Sequence, residues 1–139
     1  MNTELARFAF DRQNFKELTH TDTTLTINFE NYTFQILALH DQDCCEHVYA
    51  DFEAADIYRK QLTEWNSYNE IIIWGVSDMG FIIEFIGNNF PNKMLIPCYN
   101  EQNGYYSDNL QLSINTFLPN SKNGSDIVTV DLDGYKENH

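Results

Sequence analysis

Residues 40–47 of the sequence contain every type of side chain that proteins commonly use to bind a metal ion. If the chain is extended here, its side chains alternate between two faces, so Asp43, Cys45 and His47 share one face. They offer an oxygen, a sulfur and a nitrogen donor, the ligand types of closed tetrahedral zinc sites. Cys98, the one cysteine outside this cluster, is the candidate fourth ligand. The pattern predicts a structural zinc site.

Two other interpretations of the same cluster remain open. The cysteines are small buried hydrophobic residues in the first, with Asp43 capping a following helix. In the second, Cys45 and His47 form the thiol and base of a small enzyme. The surrounding carboxylates would raise the pKa of that thiol, and we therefore expect no catalytic residue. A small-ligand binding module, with a pocket near Trp74 and Tyr105, is a further alternative.

The sequence contains one long stretch in which acidic residues are not balanced by basic residues. No lysine or arginine lies between Lys16 and Arg59. The acidic residues in this interval are Glu17, Asp22, Glu30, Asp41, Asp43, Glu46, Asp51, Glu53 and Asp56. One interpretation is that these acids only keep a small domain soluble. The other, which we prefer, is that they imitate a nucleic acid and attract a basic protein. Its predicted contact residues are Asp41, Glu46, Asp51, Glu53 and Asp56, with Tyr105 and Tyr106 as aromatic anchors.

Composition limits the class of protein. A chain of 139 residues with 42% hydrophobic content predicts a single domain over 1–139, with a polar tail from about residue 131. The net charge of −13 argues against direct binding to nucleic acid, because phosphate contacts need cations. The apolar runs are too short to span a membrane. The three cysteines and the lack of a signal-peptide pattern predict a cytosolic protein.

Hydrophobic periodicity predicts the elements that position these residues. Alternation predicts one hairpin over 24–39 and a second, largely apolar and central, over 70–86. Helical spacing predicts a helix over about 48–65 and a short N-terminal helix over 5–18. Further strands are predicted at 93–97, 110–114 and 127–130. The expected fold class is α+β, with a mostly antiparallel sheet.

Three short motifs carry a resemblance to a protein family. They are Asp43-Cys44-Cys45-Glu46 after a hairpin, Gly80-Phe81-Ile82-Ile83-Glu84, and Asn103-Gly104-Tyr105-Tyr106 ahead of Leu110-Gln111-Leu112. Over residues 24–115 the chain resembles a family of small domains found mainly in phages, whose activity is not established. In size, acidity and metal-binding cluster it is similar to anti-CRISPR proteins. The resemblance implies an inhibitor that acts in the cytosol of the host bacterium by blocking a nucleic-acid-binding surface, with a type II CRISPR nuclease as the preferred partner.

Overall fold

The computed structural model describes residues 2–39, 46–64, 67–87, 92–102, 109–118 and 124–132, without the side chains of residues 46, 47 and 102. Nine strands in this part form one antiparallel sheet in the order β4-β7-β6-β5-β1-β2-β3-β8-β9. The strands are β1 Asn2–His20, β2 Thr24–Phe29, β3 Thr33–Leu39, β4 Glu46–Ala50, β5 Ser67–Val76, β6 Gly80–Gly87, β7 Asn92–Gln102, β8 Asn109–Phe117 and β9 Gly124–Asp131.

Both predicted hairpins are confirmed. In β2 the alternating residues Leu25, Ile27 and Phe29 are buried, and β2 pairs with β3. In the second hairpin β5 pairs with β6, and three successive residues of β5, 71–73, are buried. Both strands lie in the interior of the strand order, as predicted for a central hairpin. The strands predicted at 93–97, 110–114 and 127–130 lie within β7, β8 and β9.

The predicted N-terminal helix over 5–18 is wrong, since these residues lie within β1. Leu5, Phe8, Phe15 and Leu18 fit a helical spacing, but Ala6, Phe8 and Phe10 also alternate with exposed residues, as in a strand. Phe8 packs edge-on against Phe34, with ring centroids 5.4 Å apart. Pairing with β5 on one side and β2 on the other decides between the two periods. Tertiary pairing therefore overrides the local pattern.

The predicted helix over 48–65 begins later than expected. Val48 and Ala50 belong to β4, and both are buried where β4 pairs with β7. A 3₁₀ helix spans Phe52–Tyr58 and continues directly into a short helix, α1, at Arg59–Glu64. Together they form the helical segment 52–64. With this single helical segment in the described part of the chain, the fold is β-rich, and the α+β prediction is corrected accordingly.

The sheet folds over on itself through β1. The first part of β1 pairs with β5 and its last part pairs with β2, with register shifts along its length. β9 contacts β5 and β6, although these strands are far from it in the strand order. Apolar side chains of both halves form one core cluster, which the helical segment joins through Phe52, Ala55 and Leu62. The helical segment therefore covers one part of a core that lies between two halves of the sheet.

Side-chain hydrogen bonds fix the helical segment against the strands. The Tyr68 hydroxyl donates to the Leu62 carbonyl at 2.9 Å and accepts from Asn92 Nδ2 at 2.8 Å. Burial raises the pKa of Tyr68 to about 12, so the hydroxyl stays protonated and can donate. Gln61 Nε2 donates to Asn92 Oδ1 at 2.6 Å. The C-terminal end of the helical segment is thereby held against β5 and β7.

Candidate functional site

Much of the predicted metal cluster lies outside the described residues. Asp43 and Cys45 fall there, as does Asp41, and so do the predicted aromatic anchors Tyr105 and Tyr106. The backbones of Glu46 and His47 belong to β4, but their side chains are not described. No group of three or more His, Cys, Asp or Glu side chains suited to a metal ion occurs within the ranges described. The zinc prediction therefore stays a prediction.

Cys98 lies in β7 directly opposite Ala50 of β4. Its side chain is only 6% exposed, and its Sγ donates to the Ile96 carbonyl at 3.8 Å. Burial raises the pKa of the Cys98 thiol to about 12, whereas zinc binds the thiolate. The same ladder pairs His47 with Glu101, three positions from the Cys98–Ala50 pair. For Cys98 these observations favour the interpretation as a small hydrophobic residue of the core.

A cavity of about 520 Å³ lies where the end of β1, the β1–β2 turn, β4 and the start of the helical segment meet. Three acidic residues, Asp22, Asp51 and Glu53, line it. Asp22 and Glu53 are exposed and Asp51 is half-buried. None of the three forms an ion pair with another described residue. Three negative charges therefore meet at this cavity with no lysine or arginine in its described wall.

Local structure explains why Asp51 and Glu53 face this cavity. Asp51 is the junction residue between β4 and the 3₁₀ helix, and its backbone N–H donates to the Pro97 carbonyl at 2.8 Å. Phe52 and Ala55 are buried in the core. Because Phe52 and Ala55 occupy the inner side of the helical turn, Glu53 is left on its outer side. The apolar residues of the segment thus position its acids.

An aromatic pair adjoins these carboxylates. Tyr49 of β4 and Tyr99 of β7 lie opposite each other, with ring centroids 5.2 Å apart. Tyr49 lines the cavity, and Tyr99 is 42% exposed. The neighbouring Glu101 forms a hydrogen bond with the Tyr49 hydroxyl. Burial, and then the negative charges of Glu101 and Asp51, raise the pKa of Tyr49.

The acidic character continues on the far side of Tyr99. A second cavity, of about 390 Å³, is lined by Tyr99 and Glu101 and by the β5–β6 turn residues Asp78 and Met79. Met79 is 51% exposed. We define the acidic–aromatic face as the set formed by the two tyrosines and the carboxylates around them: Asp22, Tyr49, Asp51, Glu53, Tyr99 and Glu101.

Asp56, a predicted partner-binding residue, forms hydrogen bonds within the fold. Its carboxylate accepts from His20 Nε2 at 2.9 Å and from the Arg59 guanidinium. Arg59 also donates to the Leu18 carbonyl, at 3.2 and 2.9 Å. This cluster ties the helical segment to the end of β1. Because Arg59 balances the charge of Asp56, that residue adds less to the field than Asp51 and Glu53.

The hydrogen bonds of Asp56 predict how the stability of the fold depends on pH. Burial acts to raise the pKa of Asp56, but the hydrogen bond from His20 and the charge of Arg59 outweigh it and lower the pKa below the usual 3.8. A carboxyl whose pKa is lower in the folded state stabilises the fold above its unfolded pKa, and this contribution is lost as pH falls through the folded pKa. We expect Asp56→Asn to flatten the decline of stability below about pH 4 in urea titrations. An unchanged decline would contradict the assignment.

The tyrosine pair was missed because the sequence prediction placed Tyr49 in a helix. The alternation of Val48 and Ala50 around Tyr49 is the signal that could have found it, since it is typical of a strand with Tyr49 on its other face. Tyr99 and Glu101 lie beyond the predicted end of β7 at residue 97, and their pairing with β4 is non-local. Asp22 was counted in the acidic stretch but not selected as a contact residue.

None of the helices in the described part is long and apolar enough to cross a membrane. No protein-family model, no curated protein and no solved structure matches the chain.

Proposed function

We propose that the protein is a non-enzymatic inhibitor that binds a basic, nucleic-acid-binding surface of a host defence protein through its acidic–aromatic face. The observation that carries the proposal is the cavity where Asp22, Asp51 and Glu53 meet, none of them ion-paired with another described residue, beside the Tyr49–Tyr99 pair. Carboxylates collected in this way replace the phosphates of a nucleic acid as partners of lysine and arginine. The chain is then a mimic of nucleic acid rather than a ligand for it.

The two parts of the face have different tasks. The carboxylates, within a chain of net charge −13, steer a basic partner and raise the association rate at low salt. The tyrosines give affinity after contact, because a large amphipathic ring becomes buried at small entropic cost. Arginine side chains of the partner suit both parts, since a guanidinium pairs with carboxylates and stacks on aromatic rings.

We propose a type II CRISPR nuclease as the partner, on the basis of the resemblance to phage-borne domains and anti-CRISPR proteins. Such nucleases hold the guide–target duplex in a positively charged channel, which is a surface that a carboxylate-rich face can occupy. Binding there excludes guide or target nucleic acid. The inhibitor itself then requires no catalytic residue.

The direct experiment uses a purified type II nuclease with and without guide RNA. We expect the protein to bind the nuclease and to reduce cleavage of target DNA, with less binding once nucleic acid fills the channel. If this nuclease is not bound but another basic nucleic-acid-binding protein is captured in a salt-sensitive way, the choice of nuclease is wrong while the basic partner stands. If the chain competes with nucleic acid for no basic protein, the proposal fails.

A small-ligand binding module is the second candidate, because a volume of about 520 Å³ falls within the range of small-molecule sites. Trp74, predicted near such a pocket, is instead held by Glu84 through a 2.9 Å hydrogen bond and does not line this cavity. A thiol- or metal-dependent enzyme using the cluster at 40–47 is the third candidate. Capture of no protein at all would favour these two candidates over the inhibitor.

The proposal retains the structural zinc, bound by Asp43, Cys45, His47 and Cys98. Purified protein is then expected to carry about one zinc per chain, because closed sites couple tight metal binding to folding. Cys45→Ala should remove the zinc and Cys44→Ala should spare it, since alternation puts these cysteines on opposite faces. Mass spectrometry measures the zinc content of each variant. The Cys98→Ala variant tests whether the buried thiol of Cys98 is one of the zinc ligands. Less than about a tenth of an equivalent of zinc in the unsubstituted chain would contradict the site.

A further inference from the structure

The part of the sheet formed by β1, β5, β6 and β7 has a second apolar face, turned away from the core. In β5, both neighbours of Ile72 belong to the core cluster, whereas Ile72 itself, although only 3% exposed, does not. Because the side chains of a strand alternate, Ile72 points to the opposite face of the sheet. On that face the β5–β6 ladder places Glu84 opposite Ile72 and Ile82 opposite Trp74.

Apolar side chains surround one carboxylate on this outward side. The ladder continues to β7, where Leu95 lies opposite Ile82 and Lys93 lies opposite Glu84. Trp74, Ile82 and Leu95 are half-buried but are not packed against the core cluster. Among the described elements that are not their neighbours in the sheet, β5 and β6 contact β9 most, and the buried residues of β9 lie in the core. We define the Glu84 face as the following set: Ile72, Trp74, Ile82, Glu84 and Leu95.

Glu84 is a buried carboxylate in the middle of this face. The residue is 8% exposed, and its Oε1 accepts a hydrogen bond from Trp74 Nε1 at 2.9 Å. Its Oε2 accepts no hydrogen bond from the described residues. Lys93 is exposed and forms no ion pair with Glu84 or with another described residue. Since a buried carboxylate is costly unless a cation or several donors compensate it, the Glu84 face favours an occupant that brings a cation.

We propose that the Glu84 face binds an amphipathic helix of a partner protein, with one lysine or arginine inside the apolar stripe of that helix to pair with Glu84. A helix is an element that commonly covers one face of a sheet, and its apolar stripe becomes buried there. The net charge of −13 favours a cationic occupant over a second copy of this acidic chain. This inference goes beyond the proposed function, because it uses none of the residues of the acidic–aromatic face.

Two synthetic helical peptides of the same composition test the proposal. Both consist of about 18 residues of leucine, alanine and glutamine with a single arginine. In one peptide the arginine lies within the leucine stripe, and in the other it lies on the opposite side of the helix. Their net charges are equal, so general attraction to the acidic chain cancels in the comparison. Calorimetry measures the affinity of each peptide for the full chain.

We expect the peptide with arginine in its stripe to bind at least about tenfold more tightly than its isomer, because only that arginine reaches Glu84. Glu84→Gln should remove this preference, although its side-chain oxygen can still accept from Trp74. Ile82→Gln should weaken both peptides. Ile57→Gln is the matched control for Ile82→Gln and should weaken neither, since Ile57 is 80% exposed on the helical segment. Circular dichroism verifies that the variants remain folded.

Equal affinities of the two peptides, no binding of either at about 1 mM, or a preference that persists in Glu84→Gln would overturn the proposal. Asp51→Lys with Glu53→Lys separates this face from the acidic–aromatic face. The double substitution should weaken both peptides equally, through net charge, and leave the preference intact. If it removes the preference and Glu84→Gln does not, the arginine pairs at the acidic–aromatic face, which contradicts this inference and supports the proposed function.

Discussion

The double substitution Asp51→Lys and Glu53→Lys is expected to slow association with the basic partner by about 10- to 100-fold at low salt, with a much smaller effect on dissociation. Both carboxylates line the same cavity, and neither is balanced by an ion pair among the described residues. Reversing them places two positive charges where the partner brings its own. Stopped-flow or surface plasmon resonance experiments measure the association and dissociation rate constants.

The matched control reverses two acids elsewhere. Asp11→Lys with Glu17→Lys changes the net charge by the same amount, and both residues are exposed on β1 and do not line the cavity. Its effect on association should be several-fold smaller, because exposed charges are screened over about 10 Å at 0.1 M salt. Equal effects of the two doubles would show that net charge alone attracts the partner. An affinity that stays flat from about 50 to 500 mM salt would contradict electrostatic mimicry altogether.

Local patterns allowed prediction of those elements whose partners are near in sequence. The β2–β3 and β5–β6 hairpins pair residues separated by short turns, and their alternation is visible in a window of a few residues. β1 is different, because it pairs with β5 more than fifty residues away and bends between two halves of the sheet. No window along the sequence contains that partner. The apolar residues of β1 fit the spacing of a helix as well as that of a strand, and the helix predicted from them is wrong.

The candidate site was predictable in charge but not in shape. The absence of lysine and arginine between Lys16 and Arg59 is a property of the sequence, and it directed attention to Asp51 and Glu53, which line the cavity. Which acids stay unpaired depends on the fold, since Arg59 folds back onto Asp56 and Glu30 accepts from the Asn14 backbone N–H. The Tyr49–Tyr99 pair depends on the β4–β7 ladder, which joins segments about fifty residues apart.

Gly80 is the position where a single added methyl group should cost most. Its φ is +140°, a backbone conformation that L residues rarely adopt. A Cβ there would lie 2.2 Å from the Ile96 carbonyl oxygen and 2.7 Å from the Cys98 nitrogen, and both are backbone atoms that cannot rotate away. Backbone strain alone costs about 1–3 kcal/mol. With the overlap added, we expect Gly80→Ala to lower the free energy of unfolding by at least about 3 kcal/mol.

Gly75→Ala is the control for this substitution, because its Cβ would meet only the flexible Leu5 side chain, at 3.3 Å. We expect a cost of less than about 1 kcal/mol there, measured by urea denaturation of both variants.

The acidic–aromatic face should respond to Gly80→Ala as well, since Gly80 follows the turn that holds β7 through the 2.8 Å hydrogen bond from the Cys98 N–H to the Met79 carbonyl. Displacing β7 at Cys98 moves the adjacent Tyr99 and should weaken partner binding even where Gly80→Ala remains folded. Equal stability of the two alanine variants would show that the turn relaxes around the added methyl group and that the close approach of β6 to β7 does not depend on glycine.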